Sequence, residues 1–384
     1  MKKYISDPAI NFFISVIGLV VIFSVLMELK QIFIPLVIAY FLFFVFEPLN
    51  KILRNKKLPD WLIIPVDFII ILSFIWGISE VMIRQFSQFG TQLPLYEQKL
   101  NSIISSTAIS LGLTDPILTN MNIGENIEEI LTTLNLDYAG IAGGVFSSTV
   151  SLFSTSIFVL FFFIFILSGN EKIFAAIKNR YVHKHINFHA KKHRKKLRKE
   201  TMDEDINKSE LLSKVRVEKG AVIENTFKNI TDRVQNYIFT KFLISIVTGI
   251  LVGIVLALFG VDFVLVWVVL TILLNFIPTI GSIIAVILPM LMTIVQFESF
   301  TTTILVTGII GAIQNLVGNI LEPKIMGNKL GLNPLVILIS LMLWGYVWGI
   351  PGMFISVPLT AIIKIIISNS ESENLQFISN LMGN

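Results

Sequence analysis

The chain has 384 residues, of which 54% are hydrophobic and only 15% are charged, so it is far more apolar than an average soluble domain. It contains no cysteine, which excludes disulfides, iron–sulfur clusters, thiolate zinc sites and cysteine nucleophiles. The net charge of +4 is small, but the charged residues are concentrated in a few segments. This composition predicts an all-α polytopic membrane protein.

Long apolar stretches along the chain indicate the number of spans. A bilayer core of about 30 Å needs roughly 20 apolar helical residues. Such stretches occur at 9–27, 31–49, 62–83, 145–168, 237–260, 262–297, 300–320 and 333–367. The first stretch is too long for a signal peptide and lacks a small-residue cleavage site, so we interpret it as a retained span. We therefore expect about eight transmembrane elements.

The distribution of Lys and Arg predicts the orientation of the chain. Residues 169–241 contain 18 of the 30 Lys and Arg residues, against 9 Asp and Glu. Loops rich in Lys and Arg stay in the cytoplasm, so this segment and the N-terminus are expected there. Residues 84–144 contain two basic and six acidic residues. We expect this segment to be extracytoplasmic and to form short amphipathic helices on or near the membrane surface.

The most basic tract, 184–199, includes the sequence KKHRKKLRK. We expect a solvated loop that is attracted to anionic lipid headgroups. It lacks interleaved aromatic residues and a recognisable binding fold, so nucleic acid is not an expected partner. His185, His189 and His193 are spaced four apart, as a metal site on one helical face requires. The surrounding Lys and Arg charges oppose a cation, and we predict no metal or cofactor.

The sixth apolar stretch is too long for one ordinary span and is interrupted near its middle by the sequence NFIPTIGS. Irregular backbone at membrane depth is tolerated only where it is buried in protein or lines a water-filled cavity. We therefore predict a helical hairpin whose tip contains Asn275, Pro278, Thr279, Gly281 and Ser282.

The eighth stretch repeats this design, with a break at WGIPGMFISVP that contains Pro351 and Gly352. Because an ordinary span precedes each broken stretch, we predict an internal duplication of span plus hairpin. If each hairpin re-enters from its own side, the repeat is inverted, as in many secondary transporters. Asp262 and Glu298 would then flank the first hairpin on the outside. Two single kinked spans are the alternative.

These patterns divide the chain into six segments. They are three N-terminal spans (1–83), an extracytoplasmic segment (84–144), a fourth span (145–168), a basic cytoplasmic segment (169–236), a duplicated transport core (237–367) and a C-terminal tail (368–384).

Polar side chains cluster between the two predicted hairpins. Gln314, Asn315 and Asn319 bring three amides to the end of an apolar span, and Glu322 follows directly. Asn315 and Asn319 are four apart and should share a helical face. Small residues nearby would allow close helix approach, namely Gly308, Gly311 and Gly318. The amides could line a substrate or ion pathway, or could join helices through hydrogen bonds.

Several blocks of the sequence resemble the autoinducer-2 exporter family of bacterial transporters. In the C-terminal half they are FGVDFVLVWVVLTILLNFIPTIGSIIAVILP, QNLVGNILEPKIMG and NPLVILISLMLWGYVWGIPGMFISVPLTAIIK, and in the N-terminal half FEPLNKIL and LPDWLIIPVDFIIIL. The resemblance implies a secondary transporter of the bacterial cell membrane with eight spans, and a homo-oligomer. The basic segment 181–218 is longer than the family pattern, and the sequence after the fourth span, SGNE, lacks an acidic residue at its start.

Members of that family are linked either to export of the small polar signal autoinducer-2 or to exchange of sodium or lithium for protons. Export of a near-neutral solute needs amides and hydroxyls around a cavity. Asn275 and Gln314 are candidates for the amides. An antiporter needs a membrane-embedded carboxylate. The candidates are Glu47, Asp67, Glu80 and Glu322.

The position of these carboxylates favours the exporter. Asp67, Glu80 and Glu47 lie close enough to span ends for solvation at headgroup level, and Glu322 could pair with Lys324. The antiporter and a non-transporting membrane scaffold remain the alternatives.

Motifs of other functional classes are absent from the sequence. It has no histidine in a predicted span, no HExxH motif and no Walker A motif, so neither an intramembrane enzyme nor direct use of ATP is expected. The central prediction is that the two hairpins enter from opposite leaflets and enclose a wet polar pocket at mid-depth.

Overall fold

A computed structural model describes residues 8–110, 155–169, 208–326, 331–368 and 373–383. Regular structure within these ranges is helical. The helices are α1 (Pro8–Glu28), α2 (Lys30–Asn55), α3 (Asp60–Ser110), α4 (Thr155–Gly169), α5 (Lys208–Leu258), α6 (Val264–Leu274), α7 (Ile280–Phe297), α8 (Phe300–Asn315), a π-helical segment (Leu316–Leu321), α9 (Glu322–Met326), α10 (Pro334–Trp348), α11 (Ile350–Ser368) and α12 (Glu373–Leu381).

The described helices account for the eight predicted elements. Six helical stretches are long and apolar enough to cross a membrane, and four shorter apolar helices accompany them. The helices α6 and α7 pair as one hairpin, and α10 and α11 pair as another. The prediction of an all-α polytopic membrane protein is confirmed.

Two helices extend well beyond their predicted spans. The helix α3 has 51 residues and continues to Ser110, so short surface helices are a wrong prediction for 84–110. The helix α5 also has 51 residues and begins at Lys208, so the end of the basic segment is helical and continuous with the fifth span. Residues 111–144, the start of the fourth span and the tract with three histidines lie outside the described residues.

Two contacts define the two sides of the bundle. The Lys51 ammonium at the end of α2 donates to the Gln235 side-chain oxygen of α5 at 3.3 Å. At the other end, the Tyr96 hydroxyl of α3 donates to the Asp262 carboxylate, just after α5, at 2.8 Å. We call the side that carries the α2–α3 connection side 1, and the side that carries Asp262 side 2. Both α3 and α5 run from side 1 to side 2.

Hairpin A, formed by α6 and α7, enters from side 2. The helix α6 begins directly after Asp262, and Glu298, directly after α7, has its carboxylate 3.7 Å from the Lys99 ammonium of α3. The tip residue Asn275 contacts Thr248, which lies ten residues before the end of α5. Ten helical residues span about 15 Å, or half of a bilayer core. Hairpin A therefore re-enters to mid-depth, as predicted.

Hairpin B, formed by α10 and α11, enters from side 1. It follows α9 after a short connection, and α9 begins at Glu322, which binds Lys241 in the first part of the spanning section of α5. The Lys364 ammonium near the end of α11 donates to the Gly331 carbonyl just before α10, so both ends of the hairpin lie together. The two hairpins therefore enter from opposite sides, and the inverted arrangement of the repeat is confirmed.

A glycine allows each hairpin to close. A Cβ atom added at Gly281 would lie 1.7 Å from the Leu274 carbonyl oxygen, and one at Gly352 would lie 1.9 Å from the Trp344 carbonyl oxygen. Both distances are far below van der Waals contact, so only glycine fits. The two copies of the repeat thus share the same backbone crossing.

Close helix approach occurs at other glycines than the predicted ones. Among the described residues, a Cβ atom at Gly308, Gly311 or Gly318 would meet nothing within 4 Å, so that prediction is wrong for this part of the chain. On α5, by contrast, a Cβ atom at Gly249 would lie 2.5 Å from Ile272, and one at Gly253 would lie 2.4 Å from Val268. These two glycines, four residues apart, let α6 pack closely on α5.

Candidate functional site

The tip of hairpin A begins with a buried amide. Asn275 directly follows α6, is only 7% exposed, and directs its amide nitrogen at the Thr248 hydroxyl oxygen of α5 over 3.4 Å. The Thr248 hydroxyl itself donates to the Ile244 carbonyl at 2.8 Å. The long amide contact is a weak hydrogen bond, so Asn275 can exchange this partner at low cost.

The remainder of the tip is irregular backbone. Thr279 has φ +61° and ψ −57°, a conformation that is strained for a residue with a β-branched side chain. Its carbonyl accepts a hydrogen bond from the Ser282 hydroxyl at 2.8 Å, and the half-buried Pro278 precedes it. The strain is therefore confined to the four-residue link between Asn275 and α7.

A line of buried polar residues on α5 leads from side 1 to this tip. Lys241, Ser245 and Thr248 are spaced four and three residues apart, which places them on one helical face, and all three are buried. Thr271 and Asn275 are four apart on the neighbouring helix α6 and are also buried. Two adjacent helices therefore contribute polar groups at membrane depth.

The charged end of this line is an ion pair that the sequence interpretation missed. The Lys241 ammonium lies 2.6 and 2.7 Å from the two Glu322 carboxylate oxygens. The expected pairing of Glu322 with Lys324 is wrong. Glu322 directly follows the π-helical segment, an irregularity that is frequent at functional sites. The signal for Lys241 was a single lysine inside the apolar sequence YIFTKFLIS.

The three amides before Glu322 are separated by the structure. Gln314 is buried, whereas Asn315 and Asn319 are exposed on another part of the helical surface. The neighbours of Gln314 in the chain, such as Ile313, pack with Ile244 of α5. Of the three, only Gln314 is buried with the helices that carry the polar line.

Several of these buried groups have unused hydrogen-bonding capacity. The Ser245 and Thr271 hydroxyls and the Gln314 amide nitrogen have no hydrogen-bond partner among the described residues. Buried polar groups normally find a partner, so these groups can bind a polar solute. We call the set the polar track; it comprises Lys241, Ser245, Thr248, Thr271, Asn275, Gln314 and Glu322.

The meeting point of the two hairpins is apolar. The Phe276 and Phe354 rings stack with centroids 4.2 Å apart, and Phe41 of α2 packs edge-on against both. The predicted Pro351 is exposed, and Gly352 lies against the Trp344 carbonyl within hairpin B. An adjacent cavity of about 260 Å³ between α2, α5 and α11 is lined almost entirely by apolar side chains. The expected polar pocket between the tips is therefore wrong, because the polar groups lie where hairpin A packs on α5.

The other candidate carboxylates differ in exposure. Glu80 is bonded to Arg84 on the exposed surface of α3, and Glu47 lies 3.6 Å from Arg54. Asp67 is 0% exposed, so its interpretation as a carboxylate solvated at headgroup level is wrong.

Comparison with known proteins gives the chain its family. A family model described as "AI-2E family transporter" matches residues 12–203 and 207–372, which is nearly the whole chain. The chain belongs to the AI-2E family of transporters. Together with its several long apolar helices, this makes the chain a multi-pass membrane transport protein.

Individual relatives in the AI-2E family carry transport names. A "Putative transport protein" of Borreliella burgdorferi is 29% identical over 341 residues, covering 88% of this chain and 82% of the relative. The "Putative transport protein YhhT" of Escherichia coli K12 is 26% identical over 350 residues, covering 91% and 87%. The "AI-2 transport protein TqsA" of the same strain is 46% identical over 134 residues, covering 35% and 39%.

Proposed function

We propose that this AI-2E family member exports a small polar solute of the autoinducer-2 type by alternating access. The observation that carries the proposal is the polar track, which places buried amide and hydroxyl groups between α5 and a re-entrant hairpin. A polyhydroxylated solute needs such donors and acceptors in exchange for its hydration shell. In a purely structural bundle, buried polar groups without a hydrogen-bond partner in the described part of the chain would only reduce stability.

The charge of the polar track favours a neutral solute over a cation. Its two ionised residues, Lys241 and Glu322, neutralise each other in a direct two-oxygen contact. A cation would have to compete with the lysine ammonium for the same carboxylate. The remaining members of the track are uncharged hydrogen-bonding groups.

Similarity to TqsA supports the solute class. That relative is named an AI-2 transport protein, and the identity of 46% is high for the 134 residues that align. The Lys and Arg distribution supports a cell-membrane orientation in which side 1 is cytoplasmic. Export then carries the solute from side 1 toward hairpin A and side 2.

A transport assay with matched amide variants tests the proposal. In proteoliposomes, wild-type protein should move an autoinducer-2-type solute, and Gln314→Ala should reduce the rate by about tenfold, the effect of losing one buried hydrogen bond to the solute. Asn315→Ala is the control, because it removes an exposed amide next to it. Equal rates in the two variants, or no flux in the wild type, would contradict the proposal.

Sodium/proton exchange is the second candidate, and the burial of Asp67 favours it. A membrane-embedded carboxylate can trade a proton for a cation. Sodium added to inverted vesicles would then drive proton movement in the absence of any organic solute, which the exporter alone does not predict.

A further inference from the structure

A second buried polar site lies in the N-terminal half, apart from the polar track. Asn50 of α2 and Asp67 of α3 are both 0% exposed. The Asn50 amide nitrogen donates to one Asp67 carboxylate oxygen, Oδ2, at 2.8 Å. The transport mechanism described so far uses neither residue.

The remaining oxygens of this pair lack a donor. Asp67 Oδ1 and Asn50 Oδ1 are buried and have no hydrogen-bond partner among the described residues. Both atoms are acceptors, so they cannot bond to each other while Asp67 is ionised. A proton on Asp67 supplies the missing donor and removes a buried charge, which is costly at membrane depth.

Two charged groups of opposite sign on α2, Arg54 and Glu47, act on the Asp67 carboxyl through space. On α2, the Arg54 guanidinium lies 3.6 Å from Glu47, and the Lys51 ammonium donates to Gln235 of α5. The packing that covers the next turn of α3 is apolar, because Ile71 belongs to one cluster with side chains of α2 and α4. In the described part of the chain, the hydrogen bond to Asp67 thus comes from a neutral amide.

This site is linked to the polar track through α5. Gln235, which receives the Lys51 hydrogen bond, precedes Lys241 by six residues, or about 9 Å along the helix. Any change in how α2 and α3 pack at Asn50 and Asp67 would therefore occur close to the ion pair at the start of the polar track.

We propose that Asp67 binds and releases a proton during the transport cycle, with Asn50 as its positioning residue. The Asn50 amide nitrogen holds Oδ2, which leaves Oδ1 to take up the proton. This inference rests on the proposed function, because it assigns the proton as the coupling ion of solute export.

The direct test measures protonation and needs no solute. Infrared difference spectra of the purified protein, recorded across a pH series, should show the C=O stretching band of a protonated carboxylic acid. Asp67→Asn keeps an acceptor for the Asn50 amide but cannot titrate, so the band should disappear. Glu80→Gln is the matched control on the same helix, since it removes an exposed carboxylate, and it should keep the band.

The coupling test uses proteoliposomes with and without a pH gradient. In Asp67→Asn, the gradient-driven flux should fall at least about tenfold. Exchange of labelled solute without a gradient should stay within about twofold of the wild-type rate. Glu80→Gln should leave both rates unchanged. Should Asp67→Asn not fold, Asn50→Leu provides another arm, because removal of the amide should move the pH midpoint of the infrared band.

The outcomes separate the two proposals. A band retained in Asp67→Asn, or gradient-driven flux equal to wild type, would overturn the proton assignment. Loss of the wild-type band on adding sodium at constant pH would show that a cation displaces the proton, which would make the pair a cation/proton exchange site and overturn its assignment to solute export. Wild-type protein that moves no solute, yet shows the Asp67 band, would refute the proposed function and leave proton binding supported.

Discussion

The two hairpins have the same backbone crossing but differ in depth and in what holds their tips. Hairpin A stops at mid-depth, and its four-residue link contacts α5 through a 3.4 Å amide contact. Hairpin B turns at the single residue Gly349 and reaches the α1–α2 connection, where the Trp348 indole donates to the Leu26 carbonyl at 2.9 Å. The tip of hairpin A thus makes a long polar contact with α5, whereas the tip of hairpin B makes a hydrogen bond of ordinary length with α1.

Internal hydrogen bonds reinforce this difference. Within hairpin B, the Ser340 hydroxyl donates to the Ser356 carbonyl at 2.9 Å, and the Trp344 indole donates to Thr360 at 3.2 Å. The polar side chains of α6 instead lie with those of α5. A duplicated unit can therefore be bonded internally in one copy and share its polar groups with a neighbouring helix in the other, without a change of backbone design.

The largest expected effect tests what the hairpins share. Gly281→Ala and Gly352→Ala should each destabilise the protein by more than about 3 kcal/mol, because each methyl group would overlap a backbone carbonyl. Thermal unfolding in detergent measures this. Gly308→Ala is the control, since its methyl group meets nothing within 4 Å, and it should unfold like wild type. A mild effect at only one of the two positions would break the equivalence of the crossings.

The ion pair at the charged end of the polar track gives the next effect. Lys241→Met should cost about 1–3 kcal/mol, because it leaves the Glu322 carboxylate, which is only 21% exposed, without its partner. The double variant Lys241→Met, Glu322→Met should recover most of that stability, since replacing both charges removes the desolvation cost. Chemical denaturation of the two single variants and the double variant measures the coupling. Purely additive losses would show that the pair does not join the two repeats.

Backbone substitutions at the two turns should have opposite signs. Gly349→Ala should destabilise hairpin B by about 1–2 kcal/mol, because the residue has φ +66°. Thr279→Gly should stabilise hairpin A by up to about 1 kcal/mol, since it relieves strain at φ +61°. Melting temperatures of the two variants provide the measurement. Destabilisation by both would mean that the Thr279 side chain contributes more than its strain removes.

The smallest stability effects should distinguish the internal hydrogen bonds of hairpin B from the polar track. Ser340→Ala should cost about 1–2 kcal/mol and leave transport per folded molecule intact, because it removes a bond internal to hairpin B. Asn275→Ala should cost less than about 1 kcal/mol, since its contact is long, yet it should abolish transport. Flux in proteoliposomes, normalised to folded protein, decides the matter. Full activity of Asn275→Ala would reduce this amide to a packing role.

The breaks in the hairpins were predictable because their signals are local. Pro278 and Gly281 stand inside an otherwise continuous apolar run, and so do Pro351 and Gly352. Such residues favour a break or a helix start, and each pair lies in the link or the first turn of the second helix of its hairpin. The repeat followed from the same signals, because each copy has the order span, break and apolar run.

The polar track was only partly predictable because its contacts join distant residues. Glu322 could find Lys241 only once α5 and α9 were packed, across 81 positions of sequence. In the sequence, Lys241 belongs to the basic segment 169–241, whose Lys and Arg residues predict the orientation of the chain. In the same way, the glycines at 249 and 253 meet a neighbour whereas Gly308 does not, and sequence spacing alone cannot distinguish these cases.

The unbroken length of α3 has a mechanical consequence. A rod of 51 residues measures about 76 Å, so more than half of it must stand outside a hydrocarbon layer of about 30 Å. Its outer half contacts the base of hairpin A through the Tyr96 hydrogen bond to Asp262 and the Lys99 ion pair with Glu298. The projecting end is therefore tied to the base of hairpin A, so a tilt of α3 would shift the two together.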